Sequence, residues 1–375
     1  MIHHLVREFP PGYGGIERVA HILATEMGGK VFFLNKISLE KDPLQVCYMR
    51  FNIRTIKLGR IYLPVFSMPL FNLLCSSEPL IAHLPCPTIL FLSCISKVIR
   101  PKRFICFYWH SFIAPKNNLF GLLESIYQFL ALKLVRNFPV IVTSPSLRDT
   151  LVHHKFLDDN IFILPCSLPF NRELNYLKIA SKRTLEESLD GTLIVISRLD
   201  SYKRIDWLLK SFALTKSATK LIVIGDGPDR NKLESLANSY IRNDQVVRFY
   251  GRVEESVKLN LLSNADLLVL PSDSSNEAFG IVQLEAMASG IPSFAYNLPN
   301  SGMYWVSKLP SLDWNGSPKQ LSYILQQILD NPELYIKACN EAKERYEKVF
   351  SFQIWKERFN ILLERYVELD FHSCK

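Results

Sequence analysis

A chain of 375 residues with 48% hydrophobic and 21% charged residues has room for two domains with substantial cores and is too apolar for disorder. Its net charge of +8 is uneven, since residues 1–190 hold 22 lysines and arginines against 14 acids while residues 191–375 hold 22 of each. Eight scattered cysteines (Cys47, Cys75, Cys86, Cys94, Cys106, Cys166, Cys339 and Cys374), without a C-x-x-C pair, point to buried reduced thiols in a cytoplasmic protein and away from a disulfide framework.

The first half opens on a strand at Ile2–Val6, with no signal peptide ahead of it. A glycine-rich turn follows, Phe9-Pro-Pro-Gly-Tyr-Gly-Gly-Ile-Glu17, and then a helix from about Ile16 to Met27. Gly14 and Gly15 let backbone approach a phosphate or sugar at the helix start, although such turns are common for turn chemistry alone. Short strands are expected at Val31–Leu34 and Cys47–Met49, whereas Arg50–Leu80 shows no readable period. From Lys41 to Arg103 nine basic residues face Asp42 and Glu78, with aliphatic and aromatic side chains between them, a pattern suited to anionic lipid headgroups. No nucleic-acid-binding signature accompanies it. The most apolar stretches, Ile61–Cys75 and Leu80–Ile99, are broken by prolines and give no transmembrane helix. Phe104–Trp109 reads as a buried strand ending at His110. Asn118–Val135 carries Leu119, Leu122, Leu123, Ile126, Phe129, Leu130 and Leu134 and reads as a helix mainly for core packing. A strand and helix follow over 140–151, Ile161–Leu164 closes the first sheet, and polar residues 171–190 form a linker with some helix.

The second half alternates strands at Leu193–Ser197, Leu221–Gly225, Val246–Tyr250, Leu267–Pro271 and Ser293–Tyr296 with helices near 204–216, 228–241, 254–263, 279–289 and 318–328, a doubly wound pattern. Arg198 and Lys203 follow its first strand, at the carboxyl end where open α/β sheets hold ligands. Gly225-Asp-Gly-Pro228 ends the second strand, with Pro228 placed for the first helical position. Tyr250-Gly-Arg252-Val is a third strand-end turn. In Asn276–Pro292, Gly280 and the stop signals Gly290 and Pro292 mark a helix beginning near Phe279 or Gly280. Glu277 then lies in the loop before it and Glu285 two turns inside, a span of roughly 12 Å, about the reach of a sugar diphosphate linked to a ribose. A diphosphate would be gripped by Arg198, Lys203 and the helix's amino end, with an acid on each flank. The bland alternative is a surface helix with two solvated glutamates. An amphipathic helix over Ser351–Leu369 ends the chain.

With Arg198-Leu-Asp-Ser-Tyr-Lys203 and the Glu277/Glu285 pair the sequence resembles family 4 retaining glycosyltransferases of the GT-B fold, most strongly over residues 190–296. Residues around Phe279–Glu285 and Asn300–Trp305 are similar to bacterial O-antigen and polysaccharide mannosyl- and rhamnosyltransferases. The resemblance implies an α/β protein of two Rossmann-like domains facing a central cleft. Residues 1–170 would be the acceptor side, 171–190 the linker, 191–350 the nucleotide-sugar domain, and 351–375 a helix crossing back with its tail. It further implies that Arg198 and Lys203 stabilise the departing diphosphate and Glu277 binds donor-sugar hydroxyls. Glu285 would hold the ribose, and Gly225, Gly227, Arg252, Phe279, Gly280 and Ile281 would line the nucleotide pocket. Gly14 and Gly15 match a loop beside the donor diphosphate that Glu17 braces, and His110 matches a histidine at the donor-sugar subsite. Val306–Ser317 departs from the family in lacking a G-x-x-G-L-V hairpin.

The implied activity is transfer of a hexose, with retention, from a GDP-, UDP- or dTDP-sugar to a glycan or polyprenyl-diphosphate-linked acceptor in O-antigen, lipopolysaccharide or capsule assembly. The enzyme would be cytoplasmic and peripheral on the inner membrane face through its basic half. No Asp-x-Asp signature is present, so neither a metal nor another cofactor is expected. The rivals are a GT-B epimerase or phosphorylase, for which the acid/base carboxylates and the pyridoxal-phosphate lysine are not evident, and a non-catalytic basic binding module.

Overall fold

Two all-parallel sheets organise this chain, of seven and five strands. The computed structural model describes residues 2–8, 14–35, 46–59, 61–114, 118–183, 189–308, 314 and 316–373, which divide into two compact units, Met1–Pro165 with Glu357–Lys375, and Cys166–Lys356. The glycine-rich turn at 9–13, Lys41, Asp42, Arg60, Cys374 and most of 309–315 lie outside the described residues.

In the first unit β1 (His3–Glu8), α1 (Gly15–Met27), β2 (Lys30–Asn35) and β3 (Met49–Asn52) lead to a separate antiparallel hairpin, β4 (Thr55–Leu58) and β5 (Ile61–Pro64). There follow α2 (Met68–Cys75), β6 (Leu80–Leu84), α3 (Pro87–Ile99), β7 (Ile105–Trp109), α4 (Leu119–Val135), β8 (Val140–Val142), α5 (Pro145–His153) and β9 (Ile161–Ile163). The sheet order β3-β2-β1-β6-β7-β8-β9 reverses direction between β1 and β6. Strands β6, β7 and β8 are buried on both faces, as parallel strands covered by helices must be.

Three expectations need correction here. The third strand lies at Met49–Asn52, not Cys47–Met49, because its register is set by pairing with β2, Lys30 opposite Met49. The unassigned 50–80 stretch holds the hairpin and α2. Ile56, Leu58, Ile61 and Leu63 of the hairpin are all exposed, so the short alternation Thr55-Ile56-Lys57-Leu58 marks no buried face. Helix α4 is where the period places it, with the Asn118 side chain accepting from the Gly121 amide. However, it is not mainly a core helix. It buries Gly121, Ala131, Leu132 and Val135, and all seven apolar residues expected in the core are exposed. Its sequence is apolar on nearly every face, so periodicity could not say which face is covered.

The second unit begins with α6 (Phe170–Lys182), which occupies most of the expected linker. Its polar sequence conceals a packed helix, since the buried Glu173 accepts from the Tyr346 hydroxyl and the Phe352 amide, both at 2.8 Å. Then come β10 (Thr192–Ile196), α7 (Ile205–Leu214), β11 (Lys220–Ile224), α8 (Arg230–Tyr240), β12 (Val246–Gly251), α9 (Glu255–Ser263), β13 (Leu267–Leu270), α10 (Val282–Ala288), β14 (Ser293–Ala295), α11 (Met303–Ser307), α12 (Pro318–Asp330), α13 (Pro332–Arg345) and α14 (Phe352–Ser373). From Glu357 onward α14 counts with the first unit. The alternate residues Leu193, Val195, Leu221, Val223, Leu267 and Val269 turn one sheet face into a core. Helices α7 and α12 cover it with Leu208, Phe212, Leu321 and Leu325, the period-2 and period-3.6 patterns meeting as they should. The order β12-β11-β10-β13-β14 reverses between β10 and β13.

Candidate active site

The reversal between β10 and β13 fixes where this sheet can hold a ligand. The connections leave these two neighbours in opposite directions and open a crevice at their carboxyl ends. After β10 the chain passes Arg198 and makes a 3-10 turn at Ser201–Lys203, and after β13 it runs through Asp273 to Glu277. Three contacts tie these loops together. The Asp273 amide donates to the Tyr202 carbonyl at 3.0 Å, Arg204 pairs with Asp273 at 3.3 Å, and the Lys203 ammonium donates to Glu277 Oε2. Arg204 itself is left-handed, at φ 52°, and its guanidinium lies 3.9 Å from the Trp207 ring centroid.

Lys203 is buried and the Glu277 side chain is mostly so. Burial by itself would lower the ammonium's pKa, but Glu277 and then Tyr202 outweigh it, and the net shift is upward. The cation is therefore charged at any physiological pH. Burial raises the Tyr202 phenol, on which Lys203, Glu277, Asp200 and Arg198 all act electrostatically. Arg198, Lys203 and Glu277 thus share one neighbourhood around Tyr202. Within it Arg198 is the exposed charge, with its side chain 66% exposed and its Nε 3.1 Å from Asp200. A buried cation paired with an acid, beside an exposed guanidinium, can bind a polyanion and neutralise charge developing on it.

The glycine turn after β11 positions Arg198 from behind. Gly225 has φ 131°, and a Cβ there would lie 1.8 Å from the Ser197 carbonyl oxygen, while one on Gly227 would lie 2.4 Å from that of Leu199. Only glycines permit that approach. It is laced by hydrogen bonds from the Leu199 amide to Asp226 and from the Asp229 amide to Leu199, each 3.1 Å. Pro228 falls in this turn, two residues before α8, because the chain is still bonded back to Leu199 there; the expected first helical position belongs to Arg230. Arg252 is exposed beside Gly251, which accepts from the Gly225 amide at 2.8 Å.

Helix α10 starts at Val282, later than Phe279 or Gly280. Gly280 has φ 73°, outside right-handed helix, and a Cβ would sit 2.4 Å from Leu270 Cδ2, so the residue makes a turn against β13. Gln283 braces this turn by donating to the Phe279 and Met303 carbonyls at 2.9 and 3.1 Å. Phe279 packs edge-on to Phe350, and Ile281 caps the helix. Consequently Glu285 lies in the first turn of α10, not two turns in. It is buried, with Oε1 2.8 Å from the Lys258 ammonium, which also pairs with Glu255 at 3.1 Å. Tyr176 donates to Glu255 at 2.6 Å, and burial, Glu285 and Glu255 raise its phenol. Glu277 and Glu285 therefore have different cationic partners.

In the first unit the same topology places Gly14, Gly15 and His110 around the reversal between β1 and β6. Glu17 is buried and its pKa is raised by that burial. Its carboxylate lies against Gly14, where a Cβ would be 2.0 Å from Oε2. The His110 amide donates to Leu84, and its ring stacks on Tyr108 at 4.2 Å. Its Nε2 shares a hydrogen bond of 2.9 Å with His83 Nδ1, and His83 Nε2 lies 3.5 Å from His4 Nδ1. Burial lowers His110 and His4 to about 3 and His83 well below its ordinary value, so the row is neutral.

Sequence reasoning missed Tyr202, Asp273, Lys258, His83 and His4. Tyr202 stands inside the motif that marks Arg198 and Lys203; the others sit on separate elements with no local signal. A cavity of about 620 Å³ in the second unit lies elsewhere, lined by Asp190, Thr192, Thr219, Lys220, Tyr250 and Asn264 where β10 and β11 begin. None of the motif residues lines it, apart from Tyr250 at the β12 end. Among the described residues no group of three or more His, Cys, Asp or Glu side chains could hold a metal ion.

Residues 179–345 match the family described as Glycosyl transferases group 1. Alpha-monoglucosyldiacylglycerol synthase of Streptococcus pneumoniae is 27% identical over 215 residues, covering 54% of this chain and 48% of that protein. A GDP-mannose-dependent monoacylated alpha-(1-6)-phosphatidylinositol monomannoside mannosyltransferase of Corynebacterium glutamicum is 29% identical over 177 residues, 45% of either chain. The chain thus spans about half the length of these curated relatives. HepE of Anabaena, solved in complex with UDP, superposes with a TM-score of 0.74 over 97% of this chain and 99% of its own at 15% identity, a likeness of fold. That fold is the GT-B fold of glycosyltransferases, as the sequence resemblance implies.

Proposed function

We propose that this chain, whose residues 179–345 match the Glycosyl transferases group 1 family, transfers a hexose from a nucleoside-diphosphate sugar to a lipid-linked or glycan acceptor. The observation that carries the reading is the Lys203–Glu277 pair beside Arg198 at the carboxyl ends of β10 and β13. A diphosphate entering that crevice meets two cations. Arg198 swings from Asp200 to the phosphates, and Lys203 shares its charge between them and Glu277. Negative charge accumulates on the diphosphate as the glycosidic bond breaks, and both cations stabilise it more as it grows. Glu277 accepts from hydroxyls of the donor sugar. The turn at Phe279, Gly280 and Ile281 brings backbone to the phosphates, and the Gly225–Gly227 turn and Arg252 border the nucleotide. Glu285 accepts from the ribose hydroxyls while keeping its bond to Lys258.

Retention of configuration belongs to this reading, through a same-face reaction in which the leaving phosphate takes the acceptor's proton. So does catalysis without a divalent metal. His110, neutral and nearly buried, is suited to accept from or donate to a sugar hydroxyl. Gly14 and Gly15 with Glu17 shape the phosphate-side loop. The lipid in the names of two relatives and the basic first half favour a membrane-borne acceptor such as a polyprenyl diphosphate, reached at the inner membrane face during O-antigen, lipopolysaccharide or capsule assembly.

Incubation with GDP-, UDP- and dTDP-sugars, with and without chelator, tests this by release of nucleoside diphosphate. Release from one donor that survives chelation and fails in Lys203→Ala supports the reading. A product with an altered sugar and intact nucleotide linkage would make the protein an epimerase, and no turnover with any donor would leave a binding module.

A further inference from the structure

We infer that the first unit seats itself in one leaflet of an anionic bilayer through the exposed apolar side chains of α4, the β4–β5 hairpin and the start of α2. Membrane contact by the basic half is part of the proposed function. What is added is the means, insertion of apolar side chains, and the elements that insert. It does not depend on glycosyl transfer.

Leu119 and Phe120 at the start of α4 are 71% and 74% exposed, and Phe66 and Met68 before and at the start of α2 are 78% and 69% exposed. Further along α4, Leu123, Ile126, Phe129 and Leu134 also face solvent, as do Ile56, Leu58, Ile61 and Leu63 on the hairpin. Single exposed leucines are ordinary, whereas clusters of exposed apolar side chains on one element mark a surface that something apolar covers.

These elements adjoin at the start of α3. Thr88 donates to the Tyr62 carbonyl of β5 at 2.6 Å, and the buried Tyr127 hydroxyl of α4 lies beside Cys86. Both groups of apolar side chains therefore flank one point of the first unit, near the carboxyl end of β6. Among the described residues no helix is long and apolar enough to cross a membrane. The 17 residues of α4, about 25 Å long and carrying Glu124 and Lys133, fit the plane of the interface instead.

Charge identifies the occupant. Between residues 43 and 148 the sequence has twelve lysines and arginines against only Glu78 and Glu124. Lys57 on the hairpin and Lys133 and Arg136 at the end of α4 border the apolar side chains. A second copy of the chain would bring like charge against like, whereas an anionic leaflet supplies the complement and its acyl chains cover the leucines.

The test uses the full-length chain and flotation with phosphatidylcholine vesicles, with and without phosphatidylglycerol. The chain should float with the mixed vesicles, and high salt should weaken but not abolish binding. The double variant Phe66→Ser/Phe120→Ser should bind roughly tenfold more weakly or worse with an unchanged melting temperature, both side chains being exposed. Phe120→Trp, brought to the same vesicles, should show blue-shifted emission quenched by brominated acyl chains. Complete release by salt, with no effect of the double variant and no quenching, would overturn insertion and leave an electrostatic membrane contact. Absence of flotation would overturn both. A dimer in sedimentation that the double variant dissociates, without vesicle binding, would assign the face to a second copy. Each outcome is independent of donor turnover, so failure of the catalytic reading would be seen separately.

Discussion

Lys203 and Glu277, 74 residues apart in sequence, form a largely buried ion pair between the loops that follow two neighbouring strands. That contact bridges the crevice where the second sheet reverses direction. It makes the charge of Lys203 dependent on Glu277. The carboxylate keeps the ammonium charged despite burial.

Replacing Lys203 with Ala is expected to lower turnover by about two to three orders of magnitude, the scale for losing one charge-stabilising group. It also leaves Glu277 without its cation, a change that costs about 3–5 kcal/mol where such a pair is fully buried and less here. Arg198→Ala should match it in turnover and leave stability unchanged, because its side chain is 66% exposed. Rate assays beside thermal melts separate the two. Near-normal turnover in either variant removes the diphosphate role of that residue.

Glu285→Gln distinguishes two tasks. If the carboxylate holds the ribose, nucleoside diphosphate affinity by calorimetry should fall about tenfold or more, the worth of a charged hydrogen bond. Lower stability with unchanged affinity would leave Glu285 only its bond to Lys258.

Gly225→Ala should destabilise the second unit and slow the reaction together. Its φ of 131° costs a side chain about 1–3 kcal/mol, and the new methyl would meet the Ser197 carbonyl, pushing the Arg198 loop aside. An alanine variant with wild-type melting and turnover would show that this approach has no bearing on the site.

Stability should fall in acid through the histidine row. His4 and His110 drop from the ordinary 6.5 to about 3 when folded, so below pH 6.5 the unfolded chain binds protons that the folded chain refuses. The contribution is complete above pH 6.5 and is lost as pH falls toward 3, with a slope of at most about 1.4 kcal/mol per pH unit for each histidine. Urea midpoints between pH 7 and 4 measure it, and His110→Gln should flatten the slope. An identical slope in that variant would place the acid sensitivity elsewhere.

The sequence by itself determined the second sheet almost strand for strand. Leu193–Ile196, Leu221–Ile224 and Leu267–Leu270 are continuous apolar runs, the last two closed by Gly225 and Pro271, and such punctuation is local. The motif around Arg198, Lys203 and Glu277 was legible for the same reason, as charges placed just past strand ends. Periodicity could locate α4 but not its buried face, because leucines and phenylalanines run around most of the helix and only neighbouring elements choose which of them stay dry. Likewise, no window of sequence contains the Lys258 partner of Glu285 or the row His4, His83 and His110. Those pairings come from strand order and helix docking, which bring distant residues within hydrogen-bonding reach only once the chain has folded.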